Sequence, residues 1–445
     1  MKLPKKLLWG TSWTVLTYAG SQFARFLTNV ILTRLLAPEL FGIMSIVNSF
    51  RTGMLLVTDV GIQQSMIVNR NAESPEFYNT AWTINLARNT VLFLLFAAIA
   101  HPLATFYSIP LLNIILPIMG SLFLFEAFNS MARVLVQRRM QVARFNLFDL
   151  CADTFSYAIM IIAAIISPTI WSLVFGTVIG SAARMIASYL FLIPGIRHRL
   201  MISKPFAREI ASFGNWMFLS SLALFFSMNF DKLYFGKVMP LSILGVYGVA
   251  RTLSEPLTIL VQRLSGIVVF PRIAASRDTP KEQLRRQMGP VRLLFLASGA
   301  IGISVFASGA DYVVWFLYDY RYHEAGWMAC ILIAGSWFSI LCSLNEAVLI
   351  GFGAPFFVAY ANWMKMAWLL IGLPLGFHWH GVVGAVVAIG VSDAFRYILI
   401  VTGQRRVRFA FALQDLSMTA LVIGLILAWQ FLRVQFGLHD SFGIH

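Results

Sequence analysis

Residues 41–61 read FGIMSIVNSFRTGMLLVTDVG. The stretch is apolar at most positions and long enough for one bilayer crossing, yet Arg51 stands at its midpoint. An arginine at the bilayer centre costs about 2.5–3.5 kcal/mol on insertion scales, so a helix that keeps one must turn it away from lipid. If this is a membrane span, Arg51 faces a partner helix or a water-filled space inside a helical assembly.

The rest of the chain reads the same way. Of 445 residues, 59% are hydrophobic and 12% charged, whereas a soluble domain carries about 25% charged residues. The mean hydropathy is +0.76. Apolar runs of about 18 residues or more recur along the whole length, and each reads as a membrane span. Thirteen candidates emerge: 9–33, 40–60, 80–104, 110–132, 146–166, 169–193, 211–235, 241–269, 290–310, 327–350, 355–377, 381–402 and 412–432. The expected fold is an all-α polytopic membrane protein of 12–14 transmembrane helices.

A net charge of +15 raises the question of nucleic acid, but the basic residues fall in alternate loops. With the N-terminus inside, twenty lie in inner loops against five outside: Arg34, Lys232, Lys237, Arg321 and Arg433. That asymmetry is the positive-inside pattern, so the basic residues set topology and touch anionic headgroups; no nucleic acid is expected. The N-terminus is placed in the cytoplasm. The three cysteines (Cys151, Cys330, Cys342) lack metal-ligand spacing, so no metal or other cofactor is expected. The first span has no small-residue cleavage site and reads as a retained anchor. An odd span count puts the C-terminus outside: either no fourteenth helix follows, or the sequence is a shortened version of a longer one.

Residues 36–46, LAPELFGIMSI, open the second span, and 239–249, MPLSILGVYGV, open the eighth. Both place a proline three to five residues ahead of a glycine and run into a helix with a polar stripe. An offset of six spans is the pattern of parallel repeats. The expected organisation is an N-terminal six-helix lobe over 1–195, a basic linker over 196–210, a second six-helix lobe over 211–403, and an extra helix with tail over 404–445.

Polar stripes run along these spans. In the first lobe, Arg51 is accompanied by Ser45, Asn48 and Thr52; Arg25 by Thr17, Ser21 and Thr28; Arg88 by Asn85 and Asn89; Arg184 by Thr177 and Ser181. In the second, Arg251 lies with Tyr247, Glu255 and Thr258, Glu346 with Ser339 and Ser343, Lys365 with Asn362, and Asp393 with Arg396. Hydroxyls and amides of this kind serve as glue between packed helices. The first-lobe arginines demand more, because Glu126 is the one central acid there; Asp59, Asp149 and Asp153 lie nearer helix ends. An aqueous cationic cavity attracting an anion is expected. In the second lobe, Arg251–Glu255 (i,i+4) and Asp393–Arg396 (i,i+3) can pair locally. Asp59, Glu126, Glu346 and Asp393 are candidate ion-coupling sites, although the turn TDVG gives Asp59 a purely local use. Pro256 should kink the eighth span. His378-Trp379-His380 reads as an interfacial aromatic turn, since no third metal ligand accompanies it.

LTRLLAPELFGIMSI, TDVGIQQSMIVNR at 58–70, FDKLYFGKVMPLSILGVYGVARTLSEPL at 230–257 and VFPRIAA at 269–275 resemble the polysaccharide transporter branch of the multidrug/oligosaccharidyl-lipid/polysaccharide exporter superfamily, the Wzx-type flippases. The resemblance runs from about residue 9 to 403. It implies a V-shaped pair of lobes around a central cavity and an undecaprenyl-pyrophosphate-linked oligosaccharide as substrate, with Arg25, Arg51, Arg88, Arg184, Arg251 and Lys365 as its binding residues. Partners would be that lipid-linked oligosaccharide, membrane lipids, and the polymerase and glycosyltransferases of a surface polysaccharide pathway. The implied location is a bacterial cytoplasmic membrane. A multidrug or cation exporter and a peptidoglycan-precursor flippase share the architecture. A membrane enzyme would need sizeable outer loops carrying catalytic residues, and most of these are under about ten residues, so an enzyme is not expected.

Overall fold

The computed structural model describes residues 5–59, 61–69, 71–139, 141–193, 196, 198–265 and 280–436. The VFPRIAA segment and the loop residues Lys2, Arg70, Arg197, Arg272 and Arg277 lie outside these. The described residues form helices and turns, with no strand among them. Contacts divide the chain into two units, Met1–Phe225 with Phe235–Ser242, and Phe226–Tyr234 with Ile243–His445.

The first unit contains α1 (Lys5–Leu35), α2 (Pro38–Val57), α3 (Ile62–Val68), α4 (Pro75–Ala98), α5 (Ala100–Tyr107), α6 (Leu112–Phe128), α7 (Ala132–Arg138), α8 (Val142–Ile166) and α9 (Ile170–Ala187). A single π turn, Ser188–Leu192, ends α9. The helix α10 (Lys204–Val238) contributes to both units. The opening stretch of sequence is α2. Pro38 and Glu39 occupy its first turn, where proline's missing N–H costs nothing and a carboxylate complements the helix dipole. Its end is fixed by TDVG: the Thr58 hydroxyl bonds the Met54 carbonyl, and Asp59 Oδ1 accepts from the Gly61 N–H at 3.0 Å. Gly61, at φ 69°, then starts α3. Within α2, a Cβ at Gly42 would overlap the carbonyl of Leu241, so the proline–glycine spacing serves close helix approach.

In this unit α4 packs on α6, α6 on α9, α8 on α9, and α1 on α8. The predicted span 110–132 is shorter than expected: α6 stops at Phe128, and α7 leaves it at a bend of 56°. Met66, Phe77, Trp82, Met131 and Leu135 form a buried cluster where α3, α4 and α7 meet. The predicted linker is ordered against the same corner. Residues 198–203 run extended, and the N–H groups of Arg199, Met201 and Ser203 donate to Asn79, Thr83 and Thr80 on α4. Alternate N–H groups of an extended chain point one way, so helix side chains satisfy the donors a neighbouring strand would take.

The second unit adds α11 (Leu241–Leu264), α12 (Lys281–Leu317), α13 (Ala325–Gly351), α14 (Phe356–Arg406) and α15 (Ala412–Gln435). Here α13 packs on α12 and α14, and α15 on α12. A straight helix as long as α14 would run roughly 77 Å, more than twice a hydrocarbon core of about 30 Å. It is in fact two helices broken at His380 and Gly381, the latter at φ 57°. The two arms approach so closely that a Cβ at Gly384 would overlap the Gly376 carbonyl. The predicted spans 355–377 and 381–402 correspond to these arms, with His378-Trp379-His380 at the turn and the Trp379 ring exposed.

Eight helices of the described residues are long and apolar enough to cross a membrane, or nine with α6 and α7 as one bent span. This makes the chain a multi-pass membrane protein. The figure is below the thirteen segments read from sequence. Helices such as α11, with Arg251 and Glu255 at mid-length, are less apolar on average than a lipid-facing span.

Candidate functional site

In the first unit a polar cavity of about 280 Å³ lies where the end of α2, the start of α3, α4, the end of α6 and α7 converge; Asp59, Asn85, Arg88, Asn89, Glu126 and Arg133 line it. Arg88 reaches from α4 to α2, donating to the Leu55 carbonyl at 2.8 Å and to Thr58 Oγ1 at 3.1 and 3.2 Å. Arg51 shares that face of α2, since 51, 55 and 58 are spaced by four and seven. Its Nε is buried without a hydrogen-bond partner. Among the described residues no carboxylate comes within ion-pair distance of Arg51, although Glu126 acts on it electrostatically. Arg25, half-buried on α1, likewise makes no ion pair among the described residues.

Glu126 is occupied elsewhere. It accepts from Asn129 Nδ2 at 2.8 Å and lies 3.8 Å from Arg133. Arg133 also pairs with Asp149 at 3.1 Å, and Arg184 pairs with Asp153 and stands 3.8 Å from Asp149. The result is an alternating chain, Glu126–Arg133–Asp149–Arg184–Asp153, across α6, α7, α8 and α9. The sequence count of four arginines against one acid is corrected here: Asp149 and Asp153 lie one turn apart on α8 and converge on Arg184. Arg133, just past the predicted span 110–132, belongs to the site. Asp59, a candidate ion-coupling group, accepts the turn's own N–H. Arg25, Arg51 and Arg88 remain without a carboxylate partner among the described residues.

The second unit pairs the charges of its polar stripes. Arg251 lies 3.3 Å from Glu255, the expected i,i+4 pair, and 3.6 Å from Asp231, which also accepts from the Tyr247 hydroxyl. Asp393 accepts from Lys365 at 2.9 Å and lies 3.6 Å from Arg396, the expected i,i+3 pair; Arg396 also holds Glu346. So Arg251 and Lys365, expected as substrate-binding cations, each have a carboxylate on them, and the candidates Glu346 and Asp393 each have a cation. No cluster of three or more metal-ligating side chains occurs among the described residues.

A third polar group escaped the sequence. Arg292 on α12 pairs with Asp415 on α15, with exposures of only 6% and 1%. Asn345, Gln414 and Tyr397 add further hydrogen bonds to the pair. At the other end of α15, Arg433 holds Asp311 at 2.5 and 3.0 Å. The extra helix is thus clamped at both ends. Asp311, just past the predicted span 290–310, lies inside α12, which runs on to Leu317. Asp231, Arg292 and Asp415 were missed because their partners lie on other helices, and Tyr247, read as part of the Arg251 stripe, proves to donate to Asp231. The one available signal was that each is a charged or polar residue within an apolar run.

Outside the spans, the Arg321 guanidinium 2.7 Å from Asp319 holds its carboxyl below the usual range, and Arg139 does the same for Glu73. His198, in the extended segment, stacks on Trp82 at 5.3 Å and accepts from the Met131 N–H. Burial lowers its ring pKa to about 4.

The model of a family described as polysaccharide biosynthesis protein matches residues 31–325. The succinoglycan biosynthesis transport protein ExoT of Rhizobium meliloti (strain 1021) is 25% identical over 58% of this chain; the match spans 52%, about half, of that relative's length. Among solved structures, the lipid II flippase MurJ in an inward closed conformation superposes with a TM-score of 0.73 at 12% identity, covering 97% of this chain and 94% of that one. An inward-facing multidrug resistance MATE family transporter of the MOP superfamily gives 0.63 at 12% identity, covering 92% and 98%. At such identity these likenesses carry the fold. The matched segment takes in α2, the cavity, and both charge networks as far as Glu255, and the chain belongs to the polysaccharide biosynthesis protein family.

Proposed function

We propose that this protein is a flippase that translocates an undecaprenyl-pyrophosphate-linked oligosaccharide across the bacterial cytoplasmic membrane for surface polysaccharide assembly. The observation that carries this reading is Arg51: a cation in a membrane helix with no counter-charge within ion-pair distance among the described residues. Arg25 and Arg88 add two more positive groups without carboxylate partners among the described residues. An anionic substrate supplies the missing charge, and a guanidinium binds phosphate through two parallel hydrogen bonds. Family membership and the transport function named for the succinoglycan relative support the same class of substrate, as does the lipid substrate named for the flippase of similar fold. Two six-helix lobes moving by alternating access, with a cytoplasmic N-terminus, complete the proposal. A polymerase and glycosyltransferases would act before and after this step.

The cation-exporter alternative needs an open acidic site. In the second unit the carboxylates Asp231, Glu255, Glu346 and Asp393 all carry basic partners, which disfavours it. The test is Arg51→Ala in cells at matched membrane levels, following the lipid-linked oligosaccharide and surface polymer together. Accumulation of the lipid-linked unit with loss of polymer is expected. Unchanged polymer would remove Arg51 from the pathway.

A further inference from the structure

The seam between α8 and α9 opens at one end into an apolar groove of about 540 Å³. Small residues form its floor: Cys151, Ala152, Ala183 and Ala187. Leu147, Phe155 and Phe191 wall it and are exposed. Farther along, the same seam is shut. A Cβ at Gly180 would overlap the Ser156 side chain, and one at Gly176 would overlap Met160. The groove therefore begins at Arg144 and stops near Phe155, eleven residues along α8.

Arg144 stands exposed at the open end. One of its N–H groups donates to the Phe191 carbonyl at 2.7 Å, in the π turn that ends α9. That contact aims the guanidinium at the groove mouth and leaves further donors of its planar fork unused. Among the described residues no carboxylate pairs with it. The other arginine of the groove, Arg184, is already neutralised by Asp153.

We infer that this groove binds one anionic phospholipid of the adjacent leaflet, its phosphate on Arg144 and one acyl chain along the α8–α9 floor. Length selects the occupant. Eleven helical residues rise roughly 16 Å, which matches one leaflet of a hydrocarbon core about 30 Å thick. A polyprenyl chain is far longer than the groove that the Ser156–Gly180 closure allows. Charge selects the headgroup, since a single unpaired guanidinium suits a phosphate diester without a compensating cation of its own.

Cys151 gives a direct test, because it lines the groove and is exposed while Cys330 and Cys342 are buried. The full chain is reconstituted in nanodiscs of phosphatidylcholine with or without phosphatidylglycerol, and the rate of Cys151 alkylation by N-ethylmaleimide is measured. Phosphatidylglycerol should slow labelling several-fold. Arg144→Gln should abolish that slowing without changing the phosphatidylcholine rate or the melting temperature, and Arg144→Lys should restore part of it. Ala187→Phe, which fills the floor, should remove the lipid dependence. Equal rates in both bilayers for the wild type, or protection that survives Arg144→Gln, would overturn the site. Protection by a polyprenyl phosphate but not by phosphatidylglycerol would overturn the phospholipid as occupant. None of these readouts depends on transport.

Discussion

The two units solve the problem of membrane-buried charge differently. In the second, Arg251, Lys365 and Arg396 face Asp231, Glu255, Glu346 and Asp393, so each of these three cations has a carboxylate. In the first, Arg133 and Arg184 are compensated in the same manner, but Arg25, Arg51 and Arg88 have no carboxylate partner among the described residues. A closed network of pairs holds helices in one arrangement, whereas an open cation keeps its capacity to bind something else. Removing one partner of a buried pair leaves an uncompensated charge and costs about 3–5 kcal/mol. Removing an open cation leaves nothing stranded.

The largest effect should come from Arg292→Ala, which strands Asp415 against α12 and α13. A loss of about 3–5 kcal/mol is expected, seen as a sharply lower melting temperature in detergent and reduced membrane levels. Arg396→Ala should approach this, since Glu346 and Asp393 both lose a partner. Arg51→Ala should cost less than about 1 kcal/mol while abolishing transport; equal destabilisation by Arg51→Ala and Arg396→Ala would erase the distinction between the units. Next comes acidification. His198 is held neutral down to about 4, while an unfolded histidine takes up its proton below about 6.5. The unfolded state then binds more protons across that window, so stability is full above it and falls as pH drops through it. The melting temperature should decline between those values, and His198→Gln should flatten the decline. The smallest effect belongs to Arg139→Gln. Its pair with Glu73 is about half exposed, and such pairs contribute about 0–1 kcal/mol.

Particular residues show how far the sequence could be read. Arg51 announced itself, because one charge in an apolar run violates the rule that makes the run a span. The pairs Arg251–Glu255 and Asp393–Arg396 were legible because helical spacing alone brings them together. Arg184–Asp153 was not, since the partners are separated by a loop and meet only when α8 packs on α9. Asp149 and Asp153 looked peripheral because they lie near a helix end in sequence. Depth along one helix does not report which neighbour arrives beside it.

Hydropathy, the alternation of basic loops and the proline–glycine starts of spans are local properties, and they determined a helical membrane protein with arginines turned from lipid. Tertiary structure alone decided which of those arginines are spent on carboxylates and which stay open. The reason is physical. A backbone in lipid must satisfy its own hydrogen bonds within each helix, so spans are written residue by residue in the chain. Side-chain charges find their partners across helices, at sequence separations that only packing selects.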